Sequence, residues 1–194
     1  MLMLNKLDEK RGKEGEIMLY TTSYTSPLGK ILLAADEEGL TGVWFEGEKY
    51  LVERSAMSFV EKETPVLRDA RRWLDIYFRG AQPDFMPTLH PVGSPFRQAV
   101  WKILRQIPYG TTTTYGDIAA KIARTRGGAK VAAQAVGGAA GHNDISILIP
   151  CHRVVGKNGN LTGYAAGLDK KIFLLTLEKV DMSRLFRPAK GTAL

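Results

Sequence analysis

The sequence predicts an α+β protein of two domains: a small N-terminal α/β domain with an antiparallel sheet, and a mainly helical C-terminal domain that contains a helix-turn-helix. Two observations carry this prediction. Strand signals fade after the first half of the chain, and the charge changes sign there. Residues 1–91 hold 12 Lys and Arg against 15 Asp and Glu, whereas residues 92–180 hold 12 against 4. We therefore divide the chain into an arm at 1–17, an N-terminal domain with its linker at 18–91, a C-terminal domain at 92–180 and a tail at 181–194.

The N-terminal half begins with dense, alternating charge, which predicts a flexible arm or a weak helix over residues 1–17. Three segments rich in β-branched and aromatic residues follow, LYTTSYTS, KILLAADE and LTGVWFEG, and they predict an antiparallel meander. The segment TPVLRDARRWLDIYFRG then places apolar residues at helical spacing, with Gly80 as the residue that ends the helix.

A linker without periodicity, residues 81–93, leads into the helical half. Ser94 and Pro95 are typical of the N-cap and first residue of a helix, here PFRQAVWKILRQI. Thr114 and Asp117 form a capping box for the next helix, and the basic turn RTRGG leads to a further helix that we expect to start near Ala129. This pattern predicts a helix-turn-helix, although spacing alone is equally compatible with an ordinary αα-hairpin.

The second helix of this pair consists almost entirely of Ala, Gly and Val, and only Lys130 and Gln134 are long and polar. A helix that reads bases in the major groove needs several hydrogen-bonding side chains. A helix of small residues instead allows the DNA backbone to approach, with phosphates held by helix N-terminal amides and by Arg124, Arg126 and Lys130. We therefore expect DNA binding that is largely independent of sequence and sensitive to salt.

The composition excludes several classes of protein. A single cysteine cannot form an intramolecular disulfide, and the three histidines lack the spacing of a structural zinc site. No apolar run approaches the ~20 residues of a membrane span, and the N-terminal MLML is too short for a signal peptide. We expect no metal, no cofactor, no membrane partner and a cytoplasmic location.

Cys151 follows the apolar run ISILI (145–149) and Pro150, which predict a buried extended segment, and it precedes His152 and Arg153. A lone cysteine beside aliphatic residues is most often an inert core thiol, because burial disfavours the thiolate. The neighbouring base and fixed positive charge are the groups that activate a thiol. Adjacent side chains in an extended strand point apart, so the spacing leaves both interpretations open.

The segment after the cysteine, VVGKNGNLTGYAAG, predicts a flexible loop that walls a pocket, with Tyr164 as a candidate stacking residue. Asp169 is expected to cap a last helix, KKIFLLTLEK. Glu178 near its end is most simply a solvated residue, and only a buried histidine nearby would give it a role.

Four motifs together resemble a known family. PCHRV preceded by ILI, AVGGA upstream of the cysteine, TTYGDIA and LTGYAAGLDKK are similar to the C-terminal domain of the O6-alkylguanine-DNA alkyltransferases, or methylated-DNA–protein-cysteine methyltransferases. SPLGKILLAADEEGLTGVWFEG resembles the start of that family's ribonuclease-H-like N-terminal domain. The resemblance, over roughly residues 18–179, implies DNA repair by direct reversal. A monomer would transfer the alkyl group of O6-alkylguanine, or of O4-alkylthymine, in double-stranded DNA irreversibly to its own cysteine, once per molecule.

The resemblance also implies residue roles. Cys151 would be the nucleophile for a base flipped out of the duplex. His152, linked through a water to the thiol and on its far side to Glu178, would accept the thiol proton. Tyr115 would donate a hydrogen bond or proton to the departing guanine. Asn143, otherwise a plain helix-stop residue, would tie the recognition helix to the active-site segment.

The remaining implied residues fall into two groups. The base pocket would be lined by Ser146, Val154, Gly163, Tyr164, Ala165 and Ala166. The DNA contacts would come from Arg124, Arg126, Lys130, Ala132, Gln134, Gly137 and Gly138.

The sequence departs from the family's pattern at two of these positions. Gln134 stands where the family usually has an arginine that inserts into the base stack, so we expect weaker extrusion of the base. Ala166 stands where the loop often has a glycine, so we expect its methyl group to disfavour bulky O6 substituents while still admitting methyl.

Two other functions fit parts of the pattern. One is a binding protein: either a relative that recognises alkylated bases without removing the alkyl group, or a DNA-binding regulator with a helix-turn-helix. The intact cysteine argues against the former, and the alanine-rich helix argues against the latter. The other is a Cys-His hydrolase with multiple turnovers, for which no third member of a triad or oxyanion motif is evident beyond Glu178.

Overall fold

The computed structural model describes residues 18–48 and 58–188. The predicted arm at 1–17 and the last six residues of the predicted tail lie outside the described residues. Among the described helices, none is both long enough and apolar enough to cross a membrane.

The N-terminal sheet has four strands in the order β3-β2-β1-β4. Strands β1 (Met18–Ser26), β2 (Gly29–Ala35) and β3 (Leu40–Phe45) form the predicted antiparallel meander. Strand β4 (Ser58–Glu61) pairs in parallel with β1 and was not predicted. Its Phe59 and Val60 are both exposed, so these neighbours do not show the alternation of buried and exposed residues from which a strand is predicted.

Helix α1 (Pro65–Phe78) covers this sheet as predicted. Its N-cap Thr64 accepts a hydrogen bond from the amide of Leu67 at 3.4 Å, and the helix ends before Gly80, which has a left-handed φ of 78°. The buried face contains Leu67, Ala70, Trp73, Leu74 and Tyr77.

The linker at 81–93 is anchored to the outer edge of β3, the edge that faces away from β2. The amide of Leu40 donates to the carbonyl of Thr88 at 2.8 Å, and the amide of His90 donates back to Leu40 at 2.8 Å. A side chain at Gly39 would place its Cβ 2.8 Å from the Thr88 carbonyl oxygen, so this close approach requires glycine. The linker is therefore held against the sheet.

The C-terminal domain contains four helices and a short pair of parallel strands. Its helices are α2 (Pro95–Leu104), α3 (Tyr115–Thr125), α4 (Ala133–Gly141) and α5 (Leu168–Leu177), and its strands are β5 (Thr113–Thr114) and β6 (Val154–Val155). The predicted N-caps of α2 and α3 are present, the latter with its reciprocal capping box. One hydrophobic core includes residues of the sheet, of α1 and of all four C-terminal helices.

The helix-turn-helix formed by α3 and α4 is confirmed, but the predicted start of its second helix was wrong. Gly127 and Gly128 adopt left-handed φ values of 67° and 87°, and the chain stays non-helical up to the N-cap Ala132. The glycine turn overrides the helical propensity of the residues that follow it. Lys130 and Ala132 therefore precede α4 instead of lying within it.

Two further local predictions were wrong. Residues 145–149 are buried but not extended: Ile147 has a φ of 72°, and the amide of Ile149 donates to Ile145 at 3.0 Å, so the chain makes a compact turn. A run of apolar residues predicts burial, but it does not predict the backbone conformation of the buried segment. Helix α5 has Gly167 as its N-cap, and Asp169 lies in its first turn, where it pairs with Arg187.

Candidate active site

Cys151 begins a 3₁₀ turn, Cys151–Arg153, and is 7% exposed. The side-chain amide of Asn143 donates to its sulfur at 3.2 Å and to the carbonyl of Ile149 at 2.8 Å. The same side chain accepts a hydrogen bond from the amide of Ile145 at 3.1 Å. Asn143 thus joins the end of α4 to the turn that carries the thiol.

The Cys151 thiol is protonated at neutral pH. Burial raises its pKa to about 11, and the nearby charge of Glu48 adds to the increase, while the Asn143 hydrogen bond and the charge of Lys171 oppose it. A thiol of this kind reacts only when a base removes its proton.

His152 is a base in the required protonation state. It is fully buried, and its Nε2 lies 2.7 Å from Oε1 of Glu178, so Nε2 carries the proton of the neutral ring. Its Nδ1 has no hydrogen-bond partner among the described residues. Burial holds the pKa of His152 below its ordinary value in spite of the neighbouring carboxylate. The ring therefore has a lone pair on Nδ1 for a proton.

Glu178 is a buried anion and not a solvated helix residue. Besides His152, it accepts hydrogen bonds from the Tyr77 hydroxyl at 2.7 Å, from Nε and Nη2 of Arg153 at 2.8 and 3.0 Å, and from the amide of Gly110 at 3.2 Å. Burial alone would raise its pKa, but the hydrogen bonds and charges of His152 and Arg153 lower it to about 2.

Tyr77 was not predicted as a site residue, and the predicted role of Arg153 differs from the one that the structure shows. Helical spacing marks Tyr77 as a core residue of α1, and nothing in the sequence indicates that its hydroxyl reaches Glu178, 101 residues away. Arg153 was expected to favour the thiolate. Its guanidinium is instead bound to Glu178 and to the carbonyl of Ile107 at 2.7 Å.

Tyr115 is the first residue of α3 and is placed by the small parallel sheet. Thr113 pairs with Val154 and Thr114 with Val155, so Tyr115 is brought beside the chain that follows Cys151. Burial raises the pKa of Tyr115, and its hydroxyl remains a hydrogen-bond donor at neutral pH.

A cleft of about 870 Å³ lies between α3, α4 and the loop after β6. Four of the predicted residues line it: Tyr115, Gln134, Gly137 and Gly138. The other lining residues are Thr114, Gly116, Asp117, Ala133, Gly156, Lys157 and Thr162. A Cβ at Gly138 would meet nothing within 4 Å, so packing within the protein does not require glycine there. Because the residues of α4 have small side chains, a partner molecule can approach its backbone closely.

The remaining four predicted DNA contacts do not line this cleft. All four are exposed: Arg124 lies in the last turn of α3, and Arg126, Lys130 and Ala132 lie between α3 and α4. The Arg126 guanidinium lies over the ring of Phe96, 5.2 Å from its centroid.

None of the six predicted pocket residues lines this cleft. Val154, Tyr164 and Ser146 are buried, whereas Gly163, Ala165 and Ala166 are half-buried. The ring of Tyr164 meets that of His152 edge-on, with centroids 6.5 Å apart. The Ser146 hydroxyl donates to Oε1 of Glu48 at 3.4 Å, so this side chain faces the N-terminal domain.

The tail braces the loop that forms one wall of the cleft. The amide of Leu161 donates to Phe186 at 2.8 Å, and the amide of Phe186 donates to Gly159 at 3.1 Å. Gly159 has a φ of 86°, and a Cβ there would lie 1.9 Å from the carbonyl oxygen of Arg184. The described part of the tail is therefore packed against this loop.

Within residues 18–48 and 58–188, no cluster of His, Cys, Asp and Glu is arranged to hold a metal ion. The site consists of a buried thiol, a neutral histidine and an ionised carboxylate, and Asn143 joins the thiol to the end of a helix-turn-helix that has exposed basic side chains. These features define a DNA-binding protein with a base-activated cysteine.

Family models identify the class more closely. The ribonuclease-like domain of 6-O-methylguanine DNA methyltransferase matches residues 19–90, and the DNA binding domain of the same protein matches residues 95–180. The chain belongs to the 6-O-methylguanine DNA methyltransferase family.

Individual relatives agree with this assignment. A methylated-DNA–protein-cysteine methyltransferase of Methanosarcina acetivorans is 48% identical over 160 residues, which cover 82% of this chain and 98% of the relative. The O6-methylguanine methyltransferase of Mycobacterium tuberculosis is 40% identical, with a TM-score of 0.71 and coverage of 89% and 97%. A structure of the M. tuberculosis OGT protein in complex with DNA has a TM-score of 0.69 at 38% identity, with coverage of 89% and 96%.

Proposed function

We propose that this protein repairs DNA by transferring the alkyl group from O6 of guanine, and from O4 of thymine, in duplex DNA to the sulfur of Cys151. The observation that carries the proposal is a protonated, buried thiol beside a neutral His152 whose other ring nitrogen is held by ionised Glu178. The names of the relatives, methylated-DNA–protein-cysteine methyltransferases, support the same reaction.

The reaction begins with removal of the thiol proton. Nδ1 of His152 accepts it through a bridging water, and Glu178 stabilises the resulting imidazolium through the 2.7 Å contact at Nε2. The new S–C bond forms as the C–O6 bond breaks, and the bonding electrons remain on the base. Tyr115 donates its proton to the guanine, which leaves as a neutral base, and the His152 imidazolium then passes its proton through water to the Tyr115 oxygen.

The product is stable on the protein. A thioether has no carbonyl for water to attack, and Cys151 is the only cysteine, so no second thiol can release the alkyl group. Each molecule therefore acts once.

The base must leave the duplex to reach Cys151, because the stacked O6 atom cannot approach a buried thiol. The cleft beside α4 receives the DNA, and exposed Arg124, Arg126 and Lys130 hold its phosphates. Gln134, exposed near the start of α4, occupies the gap left by the flipped base and hydrogen-bonds to the orphaned cytosine.

The proposal includes a monomer that needs neither metal nor cofactor, since thiol, base and carboxylate all come from one chain. It also includes a cytoplasmic location, because a reducing compartment keeps the acceptor thiol reduced.

Mass spectrometry of the intact protein and of the Cys151 peptide tests this function directly. After mixing with a duplex that contains one O6-methylguanine, we expect the peptide to gain one methylene unit, and the gain to saturate at one per molecule. Cys151→Ala and an unmodified duplex are the matched controls, and both should give no gain. Binding without a mass gain would instead indicate a protein that only recognises alkylated bases, and continued turnover would indicate a hydrolase.

A further inference from the structure

Glu48 is a buried carboxyl group of the N-terminal domain that reaches the active-site turn. It lies three residues beyond β3 and is 3% exposed. Its Oε2 accepts a hydrogen bond from the amide of Phe45 at 3.0 Å, which fixes the side chain. Its Oε1 lies 3.4 Å from the hydroxyl of Ser146. One carboxyl group therefore links the end of β3 to the turn that precedes Cys151.

The same turn is also attached to β3 through its backbone. The amide of Val43 donates to the carbonyl of Asp144 at 2.7 Å, and the amide of Ser146 donates to Val43 at 3.1 Å. The indole of Trp44 donates to the Asp144 carboxylate at 3.2 Å. The N-terminal sheet thus positions the segment between Asn143 and the thiol, and Glu48 and Asp144 are the two carboxyl groups of this contact.

The surroundings of Glu48 allow it to change charge near neutral pH. Burial raises its pKa to about 7, and the charge of Asp144 adds to this, while the Phe45 amide, the Ser146 hydroxyl and Lys170 oppose it. Lys170 lies over the ring of Phe45 at 5.5 Å.

The charge of Glu48 affects the pKa of the reacting thiol. When ionised, Glu48 raises the pKa of the Cys151 thiol and also that of the buried Tyr164 hydroxyl, and Lys171 partly offsets the effect on the thiol. A neutral Glu48 removes this penalty.

We propose that Glu48 is a positioning residue of the alkyl transfer: it holds Ser146 and the turn that presents Cys151, and its protonated form lets the thiol give up its proton. The inference rests on the proposed transfer to Cys151. It predicts an alkaline decline in the transfer rate, because deprotonation of Glu48 places a second negative charge near the forming thiolate. The acid limb is set separately by His152, which must be neutral to accept the proton.

Three variants separate these effects. Glu48→Gln keeps the shape and can still accept from Phe45 and face Ser146, but it cannot ionise. Glu48→Ala removes both contacts. Glu46→Gln makes the same substitution at an exposed glutamate two residues away and is the matched control.

The experiment measures single-turnover transfer from an O6-methylguanine duplex by rapid quench, from about pH 6 to about pH 8.5. We expect the rate of the parent and of Glu46→Gln to fall several-fold across this range, and the rate of Glu48→Gln to lose that decline. Glu48→Ala should be slower than Glu48→Gln at every pH, while circular dichroism shows that both are folded.

The inference is overturned if the parent shows no alkaline decline, if Glu48→Gln declines as the parent does, or if folded Glu48→Ala transfers as fast as Glu48→Gln. Absence of transfer by the parent at any pH would overturn the proposed function instead. The two failures are therefore distinguishable.

Discussion

Nε2 of His152 lies 2.7 Å from Oε1 of Glu178, and neither side chain is exposed to solvent. Because His152 is neutral and Glu178 ionised in the resting protein, the pair is ready to receive one proton and one positive charge. The hydroxyl of Tyr77, from the other domain, donates to the same carboxylate oxygen at 2.7 Å.

Loss of this carboxylate should affect both rate and stability. In Glu178→Gln, the imidazolium loses its counter-charge and Arg153 remains as a buried cation with a neutral partner. We expect single-turnover transfer to slow by about 10²-fold or more and unfolding in urea to show a loss of about 3 kcal/mol. Glu63→Gln, which removes one partner of an exposed ion pair, is the control and should change neither measurement appreciably. An unchanged transfer rate in Glu178→Gln would contradict the proposed proton relay.

The stability of the fold should depend on pH through Glu178. The pKa of this group is about 2 in the folded protein against an ordinary value of 4.5, so its stabilisation is fully present above pH 4.5 and is lost as the pH falls from 4.5 towards 2. This difference is equivalent to about 3 kcal/mol. Urea unfolding of the parent and of Glu178→Gln should therefore give free energies that differ at neutral pH and converge in acid. A difference that stays constant with pH would show that Glu178 stabilises the fold by packing and not by charge.

Gln134 should limit extrusion of the damaged base. Gln134→Arg introduces a longer, charged side chain at an exposed position that lines the cleft. We expect faster transfer from duplex DNA and an increase of about one in the slope of log affinity against log salt. Gln82→Arg adds the same charge at an exposed linker position outside the cleft and should leave the transfer rate unchanged. Identical transfer rates for parent and Gln134→Arg would remove the proposed role.

Ala166 should restrict the size of the transferred group. Its half-buried methyl group packs against the core beside the active site, and Ala166→Gly would open space for a larger substituent. We expect the ratio of benzyl to methyl transfer rates to rise in this variant. Ala165→Gly introduces the same backbone freedom one residue earlier. An equal rise in both variants would show that the ratio does not depend specifically on the Ala166 methyl group.

The contact between tail and loop should be needed for the shape of the cleft. Gly159→Ala combines a left-handed φ with a Cβ 1.9 Å from the Arg184 carbonyl oxygen, whereas Gly29→Ala has a φ of 100° and no atom within 4 Å. Both variants carry the cost of the backbone conformation, about 1–2 kcal/mol. We expect Gly159→Ala to lower the free energy of unfolding further and to slow transfer. If the two variants match in both measurements, the tail has no structural role at the loop.

The sequence predicted those features that are encoded locally. The capping box of Thr114 and Asp117, the apolar face of α1 and the glycine after it are read from neighbours within one or two helical turns, and all are present. The resemblance supplied the positions of Asn143, His152 and Glu178, which the structure brings together with Cys151.

The unpredicted features depend on contacts between distant residues or on backbone conformation. Tyr77 and Glu48 reach the site from the other domain, across 101 and 98 residues of sequence to their partners. Neither contact produces a local pattern in the sequence. Nothing in the sequence distinguishes Glu48, which is buried, from Glu46, which is exposed. The turn at Ile147 was missed because a left-handed φ at a β-branched residue runs against local preference, and only the surrounding packing imposes it.

A protein that reacts only once is vulnerable to inactivation by small molecules, because any soluble electrophile that alkylates Cys151 before DNA does inactivates that protein molecule. The same burial that raises the pKa of the thiol to about 11 keeps it nearly unreactive towards such compounds. In the unfolded chain this protection is absent, since the thiol returns to an ordinary pKa and to solvent. In a cell exposed to alkylating agents, the lifetime of the unreacted Cys151 thiol should therefore increase with the fraction of protein molecules that are folded.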